Sequence, residues 1–160
     1  MQLVRHPDAE SFLRDAQSDL ERAEAENNLI LGGALRLIGR PAHPERPRYF
    51  ATVREGGDLR LAAMHTPPFP LALAGGGADA GAALERVAAD LLAAGVRPRG
   101  VFGPAALGED FVERWARATG EAAHVAMRER LFALTEVLPA REAPGALRRA
   151  SDADEGTIAR

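Results

Sequence analysis

Three prolines, Pro67, Pro68 and Pro70, interrupt a strand-like stretch in the middle of the chain. Each proline lacks the backbone N–H that a sheet ladder requires, so an undisturbed central strand is excluded at this point. The strand that runs through Thr66 is therefore expected to bulge, splay or lie at an edge before residues 71–73 resume it. The prolines predict a sheet with one broken strand.

Four glycines, Gly75, Gly76, Gly77 and Gly81, follow the broken strand and precede a helical pattern. Many proteins bind a phosphate or pyrophosphate where a strand ends in glycines before a helix, because backbone N–H groups at the helix N-terminus face the anion. We call residues 75–81 the glycine turn. The other interpretation is a flexible turn that binds nothing.

Hydrophobic periodicity predicts helices and strands on both sides of this turn. Helices are predicted over 9–23, 29–38, 83–95 and 107–118, and strands over 49–53, 59–66, 100–102 and 122–138. Paired glycines between the first two strands supply the positive φ angles of a hairpin turn. Interleaved helices and strands predict the α/β (α+β) class, with a mixed, largely antiparallel sheet and flanking helices.

The composition of the 160 residues excludes several kinds of chemistry. The chain has no cysteine and no lysine, so thiolate zinc sites, disulfides and lysine Schiff bases are excluded. The four histidines lack metal spacing, so no metal is expected. A net charge of -3 argues against nucleic-acid binding. Without a long apolar run or a signal peptide, a cytoplasmic protein that does not contact membranes is expected.

Three stretches resemble the N-terminal half of a group of two-part bacterial proteins in the GNAT superfamily of N-acetyltransferases. They are Glu-Asn-Asn-Leu at 26–29, Met-His-Thr-Pro-Pro at 64–68 and Met-Arg-Glu-Arg-Leu-Phe-Ala-Leu at 127–134. The order of the predicted strands and helices also agrees with that superfamily. In these two-part proteins a degenerate GNAT-like domain precedes the working one, and the resemblance implies a GNAT-like fold.

The resemblance covers residues 8–154 and implies two regions. Residues 1–139 would form the GNAT-like domain, and residues 140–160 would be a linker and the truncated start of a second GNAT domain. Leu-Arg-Arg-Ala at 147–150 resembles a short strand that opens the working domain. The next residues, Ser-Asp-Ala-Asp, have the form of a capping box, which predicts a helix that begins near Asp152.

The resemblance also implies a role for the glycine turn. GNAT proteins bind the pyrophosphate of acetyl-coenzyme A with the pattern Gln/Arg-x-x-Gly-x-Gly/Ala. Aligning Gly81 with the first glycine places Ala78 at the Gln/Arg position, whereas aligning Gly77 places Asp79 at the last position. Both alignments are incomplete, and an acid would repel pyrophosphate. The glycines are therefore expected to be vestigial cofactor-binding residues, with acetyl-CoA bound by the intact protein but not by this chain.

Three residues are candidates for the acceptor side. Glu24 and Glu26 lie near the first helices, where GNAT acceptors approach, and His65 on the broken strand would act as a general base. The alternatives are a solvated helix face for the acids and a solvent-facing strand side chain for the histidine. No catalytic residue is assigned, because residues 121–138 lack the tyrosine that many GNAT enzymes use as general acid.

Three functions follow from these observations. The first is the N-terminal domain of a GNAT-family N-acetyltransferase, not catalytic alone, whose partner is its own C-terminal GNAT domain and whose acceptor is an unknown amine. The alternative is a non-catalytic interaction or dimerisation module that forms a homodimer through residues 29–38 or 121–138. A further alternative is a complete small acetyltransferase with a divergent pyrophosphate loop.

Overall fold

A five-stranded sheet lies at the centre of the protein, whose computed structural model describes residues 1–75, 80–139 and 145–158. The strands are β1 (Gln2–Arg5), β2 (Tyr49–Glu55), β3 (Asp58–His65), β4 (Leu71–Gly75) and β5 (Val101–Phe102), and they lie in this order across the sheet. Neighbours from β1 to β4 are antiparallel, and β5 is parallel to β4. The predicted class, a mixed and largely antiparallel sheet with helices, is confirmed.

Four longer helices cover the two faces of this sheet. They are α1 (Ala9–Leu20), α2 (Glu24–Leu35), α3 (Ala80–Ala93) and α4 (Ala105–Thr119), and the short α5 (Glu155–Ile158) follows further along the chain. The helices α1 and α2 pack on one face, whereas α3 and α4 pack on the other. Because α3 connects two neighbouring parallel strands, β4, α3 and β5 form a β–α–β unit.

Side-chain alternation assigns each strand residue to one of these two layers. On β2 and β3, Val53 and Leu61 face α3 and α4, whereas Phe50 and Met64 face α1 and α2. All four are almost fully buried. The central strands are therefore apolar on both sides, as expected for a sheet that is covered on both faces.

The hairpin and the two later helices agree with the sequence prediction. Gly56 and Gly57 join β2 to β3 with φ angles of 59° and 93°. Gly95 and Gly120 follow α3 and α4 with φ angles of 68° and 76°. Glycine adopts these left-handed angles without the steric cost of a side chain, so the turn and both helix ends are confirmed.

The boundary between α1 and α2 differs from the prediction of helices over 9–23 and 29–38. The helix α1 ends at Leu20, and α2 begins at Glu24, a full turn before the predicted start. Asn27 donates its side-chain N–H to the Leu20 carbonyl at 2.9 Å. Acids in the first turn interact favourably with the helix dipole, so the polar stretch starts α2 and does not separate the helices.

The proline-rich stretch is a chain reversal. The strand β3 ends at His65, residues 66–70 form a turn, and β4 returns antiparallel with Ala72 opposite Met64. The prediction that residues 71–73 resume the same strand is therefore wrong. A missing ladder donor is compatible with both a bulge and a turn, so the prolines alone do not distinguish them.

The edge strand β1 was not predicted. It pairs with β2 from Gln2 opposite Arg54 to Arg5 opposite Ala51. Its sequence, Gln-Leu-Val-Arg, does not alternate apolar and polar residues, and four residues are the minimum over which strand periodicity is read. The pairing with β2 is a long-range contact that adds the fifth strand.

Residues 121–139 contain neither helix nor strand, so the strand predicted over 122–138 is wrong. We call this stretch the apolar segment. Alternation predicts the two faces of a strand, but a strand also requires a neighbouring edge, and no strand in the described ranges pairs with these residues.

The stretch after the predicted linker is described from residue 145, and residues 140–144 lie outside the described residues. The strand predicted over 147–150 is absent, for the same lack of a paired edge. The capping box is confirmed, because the Ser151 backbone N–H donates to Asp154 at 2.8 Å and α5 follows. Among the described residues, no helix combines the length and the apolar character needed to cross a bilayer.

Candidate functional site

The glycine turn lies where β4 leaves the sheet. The strand β4 ends at Gly75, and α3 begins at Ala80. The ladder between β4 and β5 consists of only two pairs, at Leu71 and Ala72, so it stops well before the end of β4. Gly76 and Gly77 lie outside the described residues, so the predicted site is represented by Gly75 and Gly81.

Gly75 has a role in the fold that requires no ligand. Its φ angle is 111°, and a Cβ at this position would lie 2.6 Å from the Arg60 carbonyl oxygen. Backbone atoms cannot move away as the end of a flexible side chain can, so a larger residue would force β4 away from β3. Glycine is therefore needed here to finish the strand.

An arginine lies beside the other described glycine of the turn. A Cβ at Gly81 would lie 2.5 Å from a guanidinium nitrogen of Arg114 on α4. Arg114 donates to Asp110 at 2.8 Å and also pairs with Glu85. One positive and two negative charges leave this group with a net negative charge, which opposes the binding of a pyrophosphate next to the first turn of α3.

His65 lies at the other end of the β3–β4 ladder from the glycine turn. Gly75 is opposite Leu61, whereas Ala72 is opposite Met64, the residue before His65. With a rise of about 3.3 Å per residue, the four steps from Leu61 to His65 separate the two ends by about 13 Å. The structure therefore does not bring His65 and Gly75 together.

The burial of His65 also differs from the solvent-facing alternative. Its exposed fraction is 7%, and alternation along β3 places it on the side of Leu61 and Ala63, toward α3 and α4. Glu24 and Glu26 are exposed on α2, across the sheet from that side. The predicted acceptor-side residues thus do not form one site.

A cleft with three arginines opens beside His65. It has a volume of about 310 Å³ and is lined by Arg46, His65, Pro67, Pro68, Arg97 and Arg99. We call it the arginine cleft. Its lining comes from the loop before β2, from the end of β3 and its following turn, and from the loop between α3 and β5. No sequence motif predicts the arginine cleft, because its charged residues come from separate loops.

The charges of the arginine cleft are only partly balanced. Arg97 pairs with Glu121 at 3.0 Å, and no carboxylate residue lines the cleft. The Nδ1 atom of His65 is buried and has no hydrogen-bond partner within the described residues. Burial also lowers the pKa of His65, so the imidazole is neutral at pH 7.

A second polar cluster links α1 to the sheet. Thr52 donates its hydroxyl to Asp15 at 2.6 Å, and the Nε2 atom of His6 lies 3.0 Å from the same hydroxyl. An acid, a hydroxyl and an imidazole also occur together in nucleophilic active sites. Thr52, however, has an exposed fraction of 0%, so no substrate reaches its oxygen. This cluster holds α1 on the sheet.

The burial of two histidines predicts an acid-sensitive fold. Desolvation is the largest cause that lowers the pKa values of both His6 and His65 below 6.5. The unfolded chain therefore binds protons that the folded chain does not, and the free energy of unfolding falls as the pH decreases through about 6.5. We expect a slope of at most about 1.4 kcal/mol per pH unit for each histidine.

Urea unfolding between pH 8 and pH 5 measures this slope. The variant His65→Asn removes one titrating group and is expected to reduce the slope over the same range. An identical slope in the variant and in the original protein would show that His65 does not contribute to the acid sensitivity.

The apolar segment exposes an unusual number of large side chains. Phe132 has an exposed fraction of 89%. The other exposed apolar residues of the segment are Val125, Met127, Leu131, Leu134, Val137 and Leu138. Glu121, at the start of the segment, pairs with Arg97 and accepts from the indole N–H of Trp115, and Arg128 pairs with Glu109 of α4 at 3.0 Å. A contiguous exposed apolar stretch is typical of a surface that contacts another polypeptide.

Within residues 1–75, 80–139 and 145–158, no group of three acidic or histidine side chains is arranged to hold a metal ion. Comparisons with protein-family models, with curated proteins and with solved structures give no match to this chain.

Proposed function

We propose that this chain is the GNAT-like N-terminal half of a two-part, acetyl-CoA-dependent N-acetyltransferase and that it is not catalytic by itself. The observation that carries the proposal is the end of β4. An antiparallel meander leads into a β–α–β unit whose ladder stops after two pairs, β4 ends at Gly75, and Gly81 lies in the first turn of α3. In the GNAT fold that the resemblance implies, a strand splays from its neighbour and acetyl-coenzyme A lies in the opening, next to the glycines that precede the helix.

The side chains around that opening support a role without catalysis. The charged group beside Gly81 has a net negative charge, and His65 lies at the far end of the ladder. The only tyrosine, Tyr49, is buried and donates its hydroxyl to Asp90 at 2.8 Å. Burial also raises the pKa of Tyr49, so it is poorly suited to act as a general acid.

The apolar segment supports the proposal of a second half. Burying one large apolar side chain is worth about 1.5–3 kcal/mol, so seven exposed ones offer a strong driving force for association. Apolar and polar residues alternate along the apolar segment, as they do in a strand that pairs with the edge of a sheet. We infer that the occupant is the catalytic GNAT domain of the same polypeptide.

Acetyl transfer separates this proposal from a complete small enzyme. Residues 1–160 are compared with the polypeptide as its gene encodes it, using acetyl-CoA and a panel of primary amines. We expect free coenzyme A to be released only by the longer polypeptide. In isothermal titration, residues 1–160 are expected to bind acetyl-CoA no more tightly than about 1 mM, or about 4 kcal/mol.

Two results would contradict the proposal. Micromolar binding of acetyl-CoA by residues 1–160, with acetyl transfer, would identify a complete enzyme with a divergent loop. A reading frame without a second GNAT domain would remove the proposed partner. Light scattering over a concentration series distinguishes the remaining alternative, because a dimer that forms with increasing concentration would favour a homodimer through the apolar segment.

A further inference from the structure

The arginine cleft lies away from the glycine turn, at the end of the sheet where β4 begins. Leu71 is the first residue of β4, and its backbone N–H donates to the Gly100 carbonyl at 2.9 Å. Gly100 directly follows Arg99 of the cleft. Pro67 and Pro68 of the cleft lie in the turn that leads from β3 into β4. The cleft is therefore separated from Gly75 by the length of β4.

The charges of the cleft favour an anion. Arg46, Arg97 and Arg99 come from two different loops and line one cavity, so their positive charges repel each other when the cleft is empty. Glu121 balances Arg97 from outside the lining, which leaves Arg46 and Arg99 facing the cleft. Guanidinium groups present planar pairs of N–H donors that match the oxygens of a carboxylate or a phosphate.

His65 adds a neutral polar side chain to the lining of the cleft. Its side chain lines the cleft although the residue is 93% buried, that is, 7% exposed, and its Nδ1 has no hydrogen-bond partner in the described part of the chain. Because this Nδ1 atom is buried away from solvent, the contribution of His65 to the cleft is the part of the imidazole that lines it. A neutral imidazole supplies one N–H donor to an anion.

The size of the cleft limits the ligand. At about 30 Å³ of liquid per water molecule, 310 Å³ holds about ten waters, which is more than one phosphate ion needs. The rings of Pro67 and Pro68 supply an apolar wall. Cavities of this volume are at the small end of the range for ligand sites.

We propose that the arginine cleft is a binding site for a small organic anion, which is held through an oxyanion head group by Arg46, Arg99 and His65. The head group is a carboxylate or a phosphate, and the remainder of the ligand packs against the two prolines. This site is separate from the opening at the end of β4, so it does not depend on the proposed acetyltransferase role.

Nuclear magnetic resonance of residues 1–160 tests the site with two probes, inorganic phosphate and citrate. Each probe is titrated in a buffer without other multivalent anions while the backbone amide of Arg99 and the imidazole of His65 are followed. We expect saturable shifts at both residues, and removing one guanidinium with Arg99→Gln or Arg46→Gln is expected to weaken the affinity by about tenfold.

Arg86→Gln is the matched control, because Arg86 is exposed on α3, does not line the cleft and carries the same charge. We expect it to change the affinity by less than about twofold, since only general electrostatics is altered. Arg46 and Arg99 are exposed, so their variants are expected to fold, and thermal unfolding checks this.

The probes also distinguish the two head groups. Binding of phosphate alone assigns a phosphate ligand, binding of citrate alone assigns a carboxylate ligand, and binding of both supports the shared oxyanion chemistry. The proposal is overturned if neither probe shifts His65, or if Arg86→Gln weakens binding as much as Arg99→Gln does. Neither result depends on whether acetyl-CoA binds.

Discussion

Replacing Phe12 by alanine is expected to lower the free energy of unfolding by about 3–5 kcal/mol. Phe12 has an exposed fraction of 0%, and its ring centroid lies 5.6 Å from that of Phe50 and 5.8 Å from that of His6. The variant loses this aromatic packing and leaves a cavity between α1 and the sheet. Since whole domains are stable by about 5–15 kcal/mol, the loss is a large share of the total.

Phe132→Ala is the matched control for this prediction. Phe132 has an exposed fraction of 89%, so the same truncation is expected to change the stability of residues 1–160 by less than about 0.5 kcal/mol. Urea unfolding followed by circular dichroism measures both variants. In the proposed two-part acetyltransferase, Phe132→Ala is instead expected to reduce acetyl transfer, because it removes a contact of the apolar segment.

The pair of variants also tests the exposure of the apolar segment. If Phe132→Ala destabilised residues 1–160 as much as Phe12→Ala does, the segment would be packed on its own domain. The inference that it contacts a catalytic half would then lose its support. Different effects of one substitution at the two phenylalanines are therefore the expected result.

Replacing Gly75 by alanine is expected to lower the free energy of unfolding by about 2–4 kcal/mol, which combines left-handed backbone strain with overpacking. The φ angle of 111° disfavours any residue with a Cβ, and that Cβ would lie 2.6 Å from the Arg60 carbonyl oxygen. The variant must move the end of β4 away from β3. Urea unfolding measures the loss.

Gly32→Ala provides the comparison. Gly32 lies in α2, and a Cβ there would meet nothing within 4 Å, so the substitution is expected to stabilise the protein by up to about 1 kcal/mol. If Gly75→Ala left the stability unchanged, Gly75 would not be needed to end the strand. A role in binding a ligand would then be the better explanation of that glycine.

Local signals explain the elements that the sequence predicts well. Gly56 and Gly57 permit the positive φ angles that a tight hairpin turn requires, and Gly95 and Gly120 end helices through angles that other residues avoid. Ser151 and Asp154 form their capping box within four residues. Each of these features depends on residues that are neighbours along the chain, so it can be predicted from the sequence without a structure.

The errors concern features that local signals leave open. Residues 66–70 lack ladder donors whether the chain bulges or reverses, and only the pairing of Ala72 with Met64 distinguishes the two. The apolar segment alternates like a strand, yet a ladder needs a second edge that its own residues do not supply. The predicted gap between the helices over 9–23 and 29–38 contains Glu24 and Glu26, although acids also favour a helix start.

The candidate site likewise combines residues that the sequence could identify with an arrangement that only the fold decides. Sequence position and the GNAT resemblance selected His65, Gly75 and Gly81, but the antiparallel register of β3 and β4 separates the histidine from Gly75 by the length of a strand. The arginine cleft was not predicted, because Arg46 and Arg99 are 53 positions apart in the sequence and only the fold brings them to one cavity.

The sequence by itself determined the chemistry that this protein lacks, its mixed helix and strand content, its glycine-dependent turns and its helix ends. These properties depend on residue type and on contacts within a few positions. Only the tertiary structure decided the reversal at the prolines, the burial of His65, the exposure of the apolar segment and the convergence of three arginines. Those features depend on pairing and packing between distant residues, because burial and electrostatics act through space and not along the chain.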